Sequence, residues 1–325
     1  MNATDFASQS EKHFTESIDS SHWLNMLRNS WAECESVSDL LAASGLLNDF
    51  ILFEDVVPHG VTSWRHRMGQ LWPNRKGFSV GVCDLSEICH AAHSKDSSPS
   101  LCIRMIQNLK NALGVKCFVV ACDGDNVWRY GNPMYKSDRE ERGAEFHQGL
   151  SEAKNLLKEE GWIVSEQPEY ESDDIMSTIA YQCQLLSVPC VIASEDKDMW
   201  QSLGATTTIY NRKSTSYRNM EWLKATHSIA PRQVVDYLCL IGKNNLPGAK
   251  GIGPKTASKL LQAYGDVQGI WDCRDSLKPK QRENLQEFFG DTYRTVKELH
   301  TLSRSSGADW IRQYGRNRSK AAAAK

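Results

Sequence analysis

Glu171-Ser172-Asp173-Asp174, the apolar run from Ile175 to Leu186 behind it, and then Val188-Pro189-Cys190-Val191-Ile192-Ala193 set the reading of the whole chain. Apolar residues at helical spacing after the acids place Asp173 and Asp174 in the first turn of a helix, with Glu171 just before it. Residues three apart share a helix face, so Glu171 and Asp174 can converge on one point. The 188–193 run reads as a short buried strand, and Asp196-Lys197-Asp198 falls just past its end. In parallel α/β sheets, ligands sit outside the carboxyl ends of the strands. Acids at a helix start can also do no more than complement its dipole. What favours a site is that acids recur at other strand ends.

Two upstream strands carry that recurrence. Phe78–Cys83 delivers Asp84, and Val115–Cys122 ends on Asp123-Gly124, with a helical stretch from Ser100 to Leu113 between them. Two such strands joined by a helix make a right-handed βαβ unit, and both aspartates then emerge at the same edge of the sheet. One strand-terminal Asp would ordinarily be a turn former. Residues 128–142 turn basic and aromatic (Trp128, Arg129, Tyr130, Tyr135, Lys136, Arg139, Arg142), with Asp138, Glu140 and Glu141 interleaved. That pattern serves helical ion pairing, or a phosphate backbone with rings stacked on bases.

Residues 143–160 read as an amphipathic helix, 206–210 as β-rich and 231–241 as a helix. A second motif runs from Leu246 to Leu261, where Gly251-Ile252-Gly253 leads into a helix burying Ala257, Leu260 and Leu261. Glycines let backbone approach a ligand, and free N–H groups at a helix start face phosphate. Such contacts position nucleic acid without reading its sequence. An ordinary helix hairpin with a glycine turn is the plain alternative.

At 325 residues with 40% hydrophobic content, the chain accommodates one large α/β domain, or a domain plus an appendage. No apolar run of membrane-spanning length and no secretory signal is expected. The ten cysteines include no C-x-x-C pair, and several in strand-like runs (Cys83, Cys117, Cys122, Cys190) read as reduced, buried side chains of a cytoplasmic protein. Cys89-His90 with His93 has a faint zinc character but reads as core. A net charge of −2 hides a division: residues 1–240 sum to −10 and residues 241–325 to +8. An acidic site beside a basic region suits a polyanion that needs cations to bind and metals to react. Residues 1–76 read as an acidic, partly ordered extension, 77–240 as the core, 241–310 as the hairpin region and 311–325 as a basic tail.

Taken together, these residues resemble the 5′→3′ exonuclease/flap endonuclease family, which includes the N-terminal nuclease domain of bacterial DNA polymerase I. The resemblance spans about residues 78–300. Asp84 and Asp123 match the family's strand-end aspartates. Glu171, Asp173 and Asp174 match its E-x-D-D motif, and Asp196-Lys197-Asp198 its D-K-D motif. Tyr135, Lys136 and Arg139 match its arch pattern Y-K-x-x-R, with Arg129 at the basic position upstream, and Leu246–Leu261 matches its helix-hairpin-helix.

The resemblance implies a PIN-like, FEN-like α/β fold: a mostly parallel sheet flanked by helices, with a helical arch region and a C-terminal helix-hairpin-helix. It implies a metal-dependent 5′→3′ exonuclease and 5′-flap endonuclease of DNA replication or repair, monomeric and without a membrane. Asp84, Asp123, Glu171 and Asp173 would hold a first Mg²⁺, and Asp174, Asp196 and Asp198 a second. Mn²⁺ can substitute, and K⁺ is a candidate at the hairpin. Lys136 and Arg139 would stabilise the scissile phosphate. Arg129, Tyr135, Lys250, Gly251, Gly253, Lys255 and Thr256 would contact DNA. Asp123→Asn or Asp174→Asn would abolish cleavage and spare binding.

One departure stands out. The family carries G-D-x-x-D-N before L-P-G, and those two aspartates ligate the second metal. Here the stretch is Gly242-Lys243-Asn244-Asn245, two residues shorter and without either acid. The Xni-like exonucleases, a group without a polymerase portion, show a similar loss, and this chain resembles them. Lys243 could replace charge where a metal sits elsewhere, and so it supports a rival reading: a structure-specific DNA-binding protein with weakened catalysis. An RNA-directed nuclease of similar fold is a third.

Overall fold

The computed structural model describes residues 78–93, 98–137, 142–243 and 245–307, together with 310, 313, 314 and 317. The expected extension 1–76 and most of the tail 311–325 lie outside these residues, as does Arg139.

The chain builds a sheet in the order β3-β2-β1-β4-β5-β6. Its strands are β1 (Val80–Asp84), β2 (Cys117–Cys122), β3 (Ile163–Glu166), β4 (Cys190–Ala193), β5 (Thr207–Asn211) and β6 (Ser216–Arg218). The first five run parallel, and β6 is antiparallel on β5. All six residues of β2 are buried, as a strand covered on both faces requires. Their side chains alternate: Cys117, Val119 and Ala121 enter one hydrophobic core, Phe118, Val120 and Cys122 the other.

Helices cover both faces. On one lie α1 (Leu85–His93), α2 (Pro99–Leu113) and α3 (Ala144–Glu159). Helix α2 starts on Pro99 and stops at Gly114, whose φ of 62° lets its N–H donate back to Lys110 O at 3.1 Å. On the other face α4 (Ser172–Leu185) buries Ile175, Met176, Ile179, Ala180 and Cys183. The same core continues through α5 (Met220–His227), α6 (Val234–Ile241), α7 (Pro254–Tyr264), α8 (Val267–Asp272), α9 (Pro279–Phe288) and α10 (Asp291–His300).

Strands β3 and β6 and helices α1, α5, α8, α9 and α10 were not anticipated. Most are short, and β6 pairs through only three residues. The expected helical arch is not seen among the described residues. Trp128–Gly131 forms one 3₁₀ turn, and the chain then runs through turns to Ser137.

The topology locates the site. From β1 the chain steps outward to β2 and β3 on one side, then returns to β4 and β5 on the other. The order reverses between β1 and β4, and a crevice opens beyond the carboxyl ends of strands at such a switch point. Asp84 ends β1, Asp123 follows β2 and Asp196 follows β4.

Candidate active site

At that crevice lies a cavity of about 310 Å³ lined by Asp84, Asp123, Glu171, Asp173 and Asp196, and by Ser86, Glu87, His90, Lys136, Arg142, Ser172 and Glu195. Local backbone fixes the first acids. The Ser86 N–H donates to Asp84 Oδ1 at 2.7 Å, turning the chain from β1 into α1. The Ser172 N–H, at the start of α4, donates to Asp123 Oδ1 at 2.8 Å and ties the end of β2 to the helix N-terminus. Gly124 packs its backbone on the loop before the acid cluster: its N–H donates to Tyr170 O at 2.9 Å, and a Cβ there would stand 1.8 Å from Gln167 O. Gly124→Ala is therefore expected to cost about 1–3 kcal/mol as the loop is pushed away. Urea unfolding checks this, and an unchanged midpoint would refute the packing argument.

The acids of the cavity divide by their partners. No Lys, Arg or His among the described residues forms an ion pair with Asp84, Asp123 or Asp173. Burial, then the charges of Asp123 and Glu87, push the Asp84 carboxyl up to about 7 against the N–H groups that oppose them. Burial, then Asp196, Asp84 and Glu171, hold Asp173 well above the carboxylate range. Crowded oxygen donors without a counter-ion are the chemistry a hard divalent cation answers. Among the described residues no group of three or more His, Cys, Asp or Glu side chains is placed so that it could hold a metal ion. Mg²⁺ keeps several waters and is usually bound through only one or two carboxylates. Asp84, Asp123 and Asp173 are the candidates to hold a first divalent ion, with water completing its shell.

Glu171 and Asp174 converge as their spacing predicts, but on the Arg129 guanidinium. Arg129 Nη2 donates to Asp174 Oδ1 at 2.8 Å, Nη1 bonds Asp174 Oδ2, and Nη1 lies 3.4 Å from Glu171 Oε2. Arg129 also donates to Leu299 O at 3.1 Å and Thr301 O at 2.7 Å, and Asp174 accepts from the Ser303 N–H at 2.8 Å. Arg129 is 1% and Asp174 0% exposed. This corrects two expectations. Asp174 does not line the cavity, and Arg129 is sealed in the core, where DNA cannot reach it.

Tyr135 is half-buried, and its hydroxyl donates to Glu171 Oε2 at 2.6 Å. Lys136 lines the cavity and bonds Glu171 Oε1. Burial alone would raise Glu171; Lys136, Tyr135 and Arg129 overcome it and hold the carboxyl below its usual range. Glu171 is thus paired with protein cations, unlike Asp84, Asp123 and Asp173, which have none among the described residues.

Sequence reasoning missed Ser86, Glu87, His90 and Glu195, which turn into the cavity from α1 and the β4 loop. Nothing in their local pattern marks them. Of the trio read as core, Cys89 is buried beside Cys102, with 2.8 Å between the sulfurs, whereas His90 and His93 are exposed. Around the hairpin, Lys250, Gly251, Gly253 and Lys255 are exposed and Thr256 is half-exposed. Gly251 has φ 74°, and Lys250 O accepts from Asn284 Nδ2 at 2.7 Å, so α9 steadies the turn.

Two family descriptions match in tandem: the 5'-3' exonuclease N-terminal resolvase-like domain over residues 96–229 and the 5'-3' exonuclease C-terminal SAM fold over 229–315. The chain belongs to the 5'-3' exonuclease family. It is 32% identical over 154 residues to the thermostable DNA polymerase I of Thermus thermophilus, a match covering 47% of this chain and 18% of the polymerase. The chain thus spans under a fifth of that relative. It is 26% identical over 232 residues to the flap endonuclease Xni of Pectobacterium atrosepticum, covering 69% of this chain and 86% of Xni. A solved T5 5'-exonuclease with bound zinc aligns with TM-score 0.63 at 19% identity, over 74% of this chain and 98% of that one. That likeness shows the fold.

The second ion of the family does not fit here. Asp198 does not line the cavity; its Oδ2 accepts from Lys243 Nζ at 2.6 Å, and Oδ1 lies 3.4 Å from His300 Nδ1. Lys243 also bonds Asp196 Oδ1. Burial would raise Asp198, yet His300 and Lys243 pull it below the carboxylate range. The two acids left for a second ion already hold a protein cation.

Proposed function

We propose that the chain is a divalent-metal-dependent nuclease that hydrolyses DNA phosphodiesters, as a 5′→3′ exonuclease and 5′-flap endonuclease. The observation that supports this best is the set Asp84, Asp123 and Asp173: crowded, without a cation partner among the described residues, and at the switch point of the sheet. Asp84, Asp123 and Asp173 would hold a divalent ion, Mg²⁺ or Mn²⁺, which when bound would supply Lewis acidity to the phosphodiester and lower the pKa of a water nucleophile.

The chain's own groups do the rest. Lys136 and Arg142 put positive charge on the cavity wall, where a scissile phosphate would sit, and Arg142 Nη1 is steadied by Ser86 Oγ at 2.6 Å. Arg139 shares that assignment by family resemblance. Trp128 and Tyr130 are exposed, and the Tyr130 hydroxyl donates to Glu171 Oε1 at 3.2 Å, so its ring would offer a face for an unpaired base beside the site. The Lys250–Thr256 turn would grip duplex backbone through its N–H groups and lysines, with K⁺ as a candidate ion. No helix among the described residues is long and apolar enough to cross a membrane. A cytoplasmic monomer completes the proposal.

The test is end-labelled 5′-flap DNA incubated with Mg²⁺, Mn²⁺ or chelator. Metal-dependent release of the flap is expected. Tight binding without product under any ion would instead establish the weakened DNA-binding protein that the Lys243 pairing favours.

A pH signature follows from Asp84. Its folded carboxyl titrates near 7 against an ordinary 3.8, so the metal-free fold binds the extra proton and loses stability as pH rises through that window. A divalent ion removes the penalty by taking the proton's place. Added Mg²⁺ should raise Tm little at pH 5.5 and distinctly more at pH 7.5. Equal shifts at both values would contradict the assignment.

A further inference from the structure

We propose that the Lys243 ammonium is the resident cation of the second site, so that this chain binds a single divalent ion where its family is built for two. The inference deepens the nuclease reading and rests on it.

Three observations converge. The first is the pairing itself: Lys243 Nζ reaches both Asp196 Oδ1 and Asp198 Oδ2, so one ammonium bridges the two carboxylates as an ion would. The second is enclosure. The Lys243 side chain is 17% exposed and that of Asp198 14%, and His300, 2% exposed, closes the far side of Asp198. Asp196 Oδ1 also accepts the Asp198 N–H at 2.7 Å, which holds the two acids in one bracket around the ammonium. A divalent ion entering here would have to expel a half-buried cation or sit against it, and like charges at that distance repel.

The third is how rigidly the lysine is presented. Gly242 ends α6 with φ 71°, its N–H donating to Leu238 O at 2.9 Å. The chain folds back at once: the Leu246 N–H donates to Lys243 O at 3.0 Å, and the Ala249 N–H to Leu240 O at 3.0 Å. Gly248 fits against Gly242 so closely that a Cβ on it would lie 2.5 Å from Gly242 N. The turn brings no carboxylate of its own and aims one ammonium at the acids. By contrast Asp84, Asp123 and Asp173 keep no cation partner among the described residues, which leaves the first position to a divalent ion.

The test counts ions on the full chain without DNA, from free Mn²⁺ measured by electron paramagnetic resonance during titration. Wild type should bind one Mn²⁺, Lys243→Met two, and Lys243→Arg, which keeps the charge, one. Circular dichroism confirms that each variant is folded, and Lys243→Ala serves if the methionine variant is not. Two ions on wild type, or still one on the folded Met and Ala variants, would overturn the proposal. Because no DNA is present, the count stands apart from flap cleavage, which reports on the nuclease reading alone.

Discussion

Arg129→Met is expected to lower stability by about 3–5 kcal/mol, the cost of leaving one partner of a buried ion pair uncompensated. Asp174, 0% exposed, would keep only the Ser303 and Glu171 N–H groups, and the end of α10 with the residue after it would lose the donor to Leu299 O and Thr301 O. Two parts of the chain far apart in sequence are joined through this one guanidinium. Arg129→Met with Asp174→Leu removes both charges together and should recover much of the loss, since apolar replacement of a whole buried pair is often neutral. Denaturant melts of the single and double variants decide it. A single variant as stable as wild type would show that the pair contributes nothing. Asp174→Asn, read from sequence as a purely catalytic lesion, is accordingly expected to act mainly through stability.

Asp123→Asn carries the largest expected effect on activity. The amide oxygen can still accept the Ser172 N–H, so the junction of β2 and α4 is kept. What disappears is one of three charges available to a divalent ion, and cleavage should fall by at least about 10²-fold. DNA binding should persist or tighten slightly, because an anion facing the phosphates has been removed. Single-turnover cleavage and equilibrium binding on one flap substrate separate the two quantities. Parallel loss of both would mean that Asp123 supports the DNA site as a whole and not its chemistry.

These two aspartates show where reading the chain unaided succeeds. Asp123 was legible because a buried strand is a continuous apolar run and its last position is fixed by the hydrophobic pattern; the parallel topology then decides which edge it faces. The same holds for Asp84, for the start of α4 and for the glycine turn before α7. Asp174 obeyed the helical spacing assigned to it, yet its partner proved to be a buried arginine. Spacing states which way a side chain points, not what waits there.

Local sequence therefore determined the strands, the long helices and the acids that end them, because periodicity of burial is a property of neighbouring residues. Tertiary structure alone decided which acids stay free: Arg129 takes Asp174, Lys136 and Tyr135 take Glu171, and Lys243 takes Asp196 and Asp198. Those partners lie from 35 to 47 residues away along the chain. The energy of an ion pair depends on distance and burial in space, and neither is written at either end.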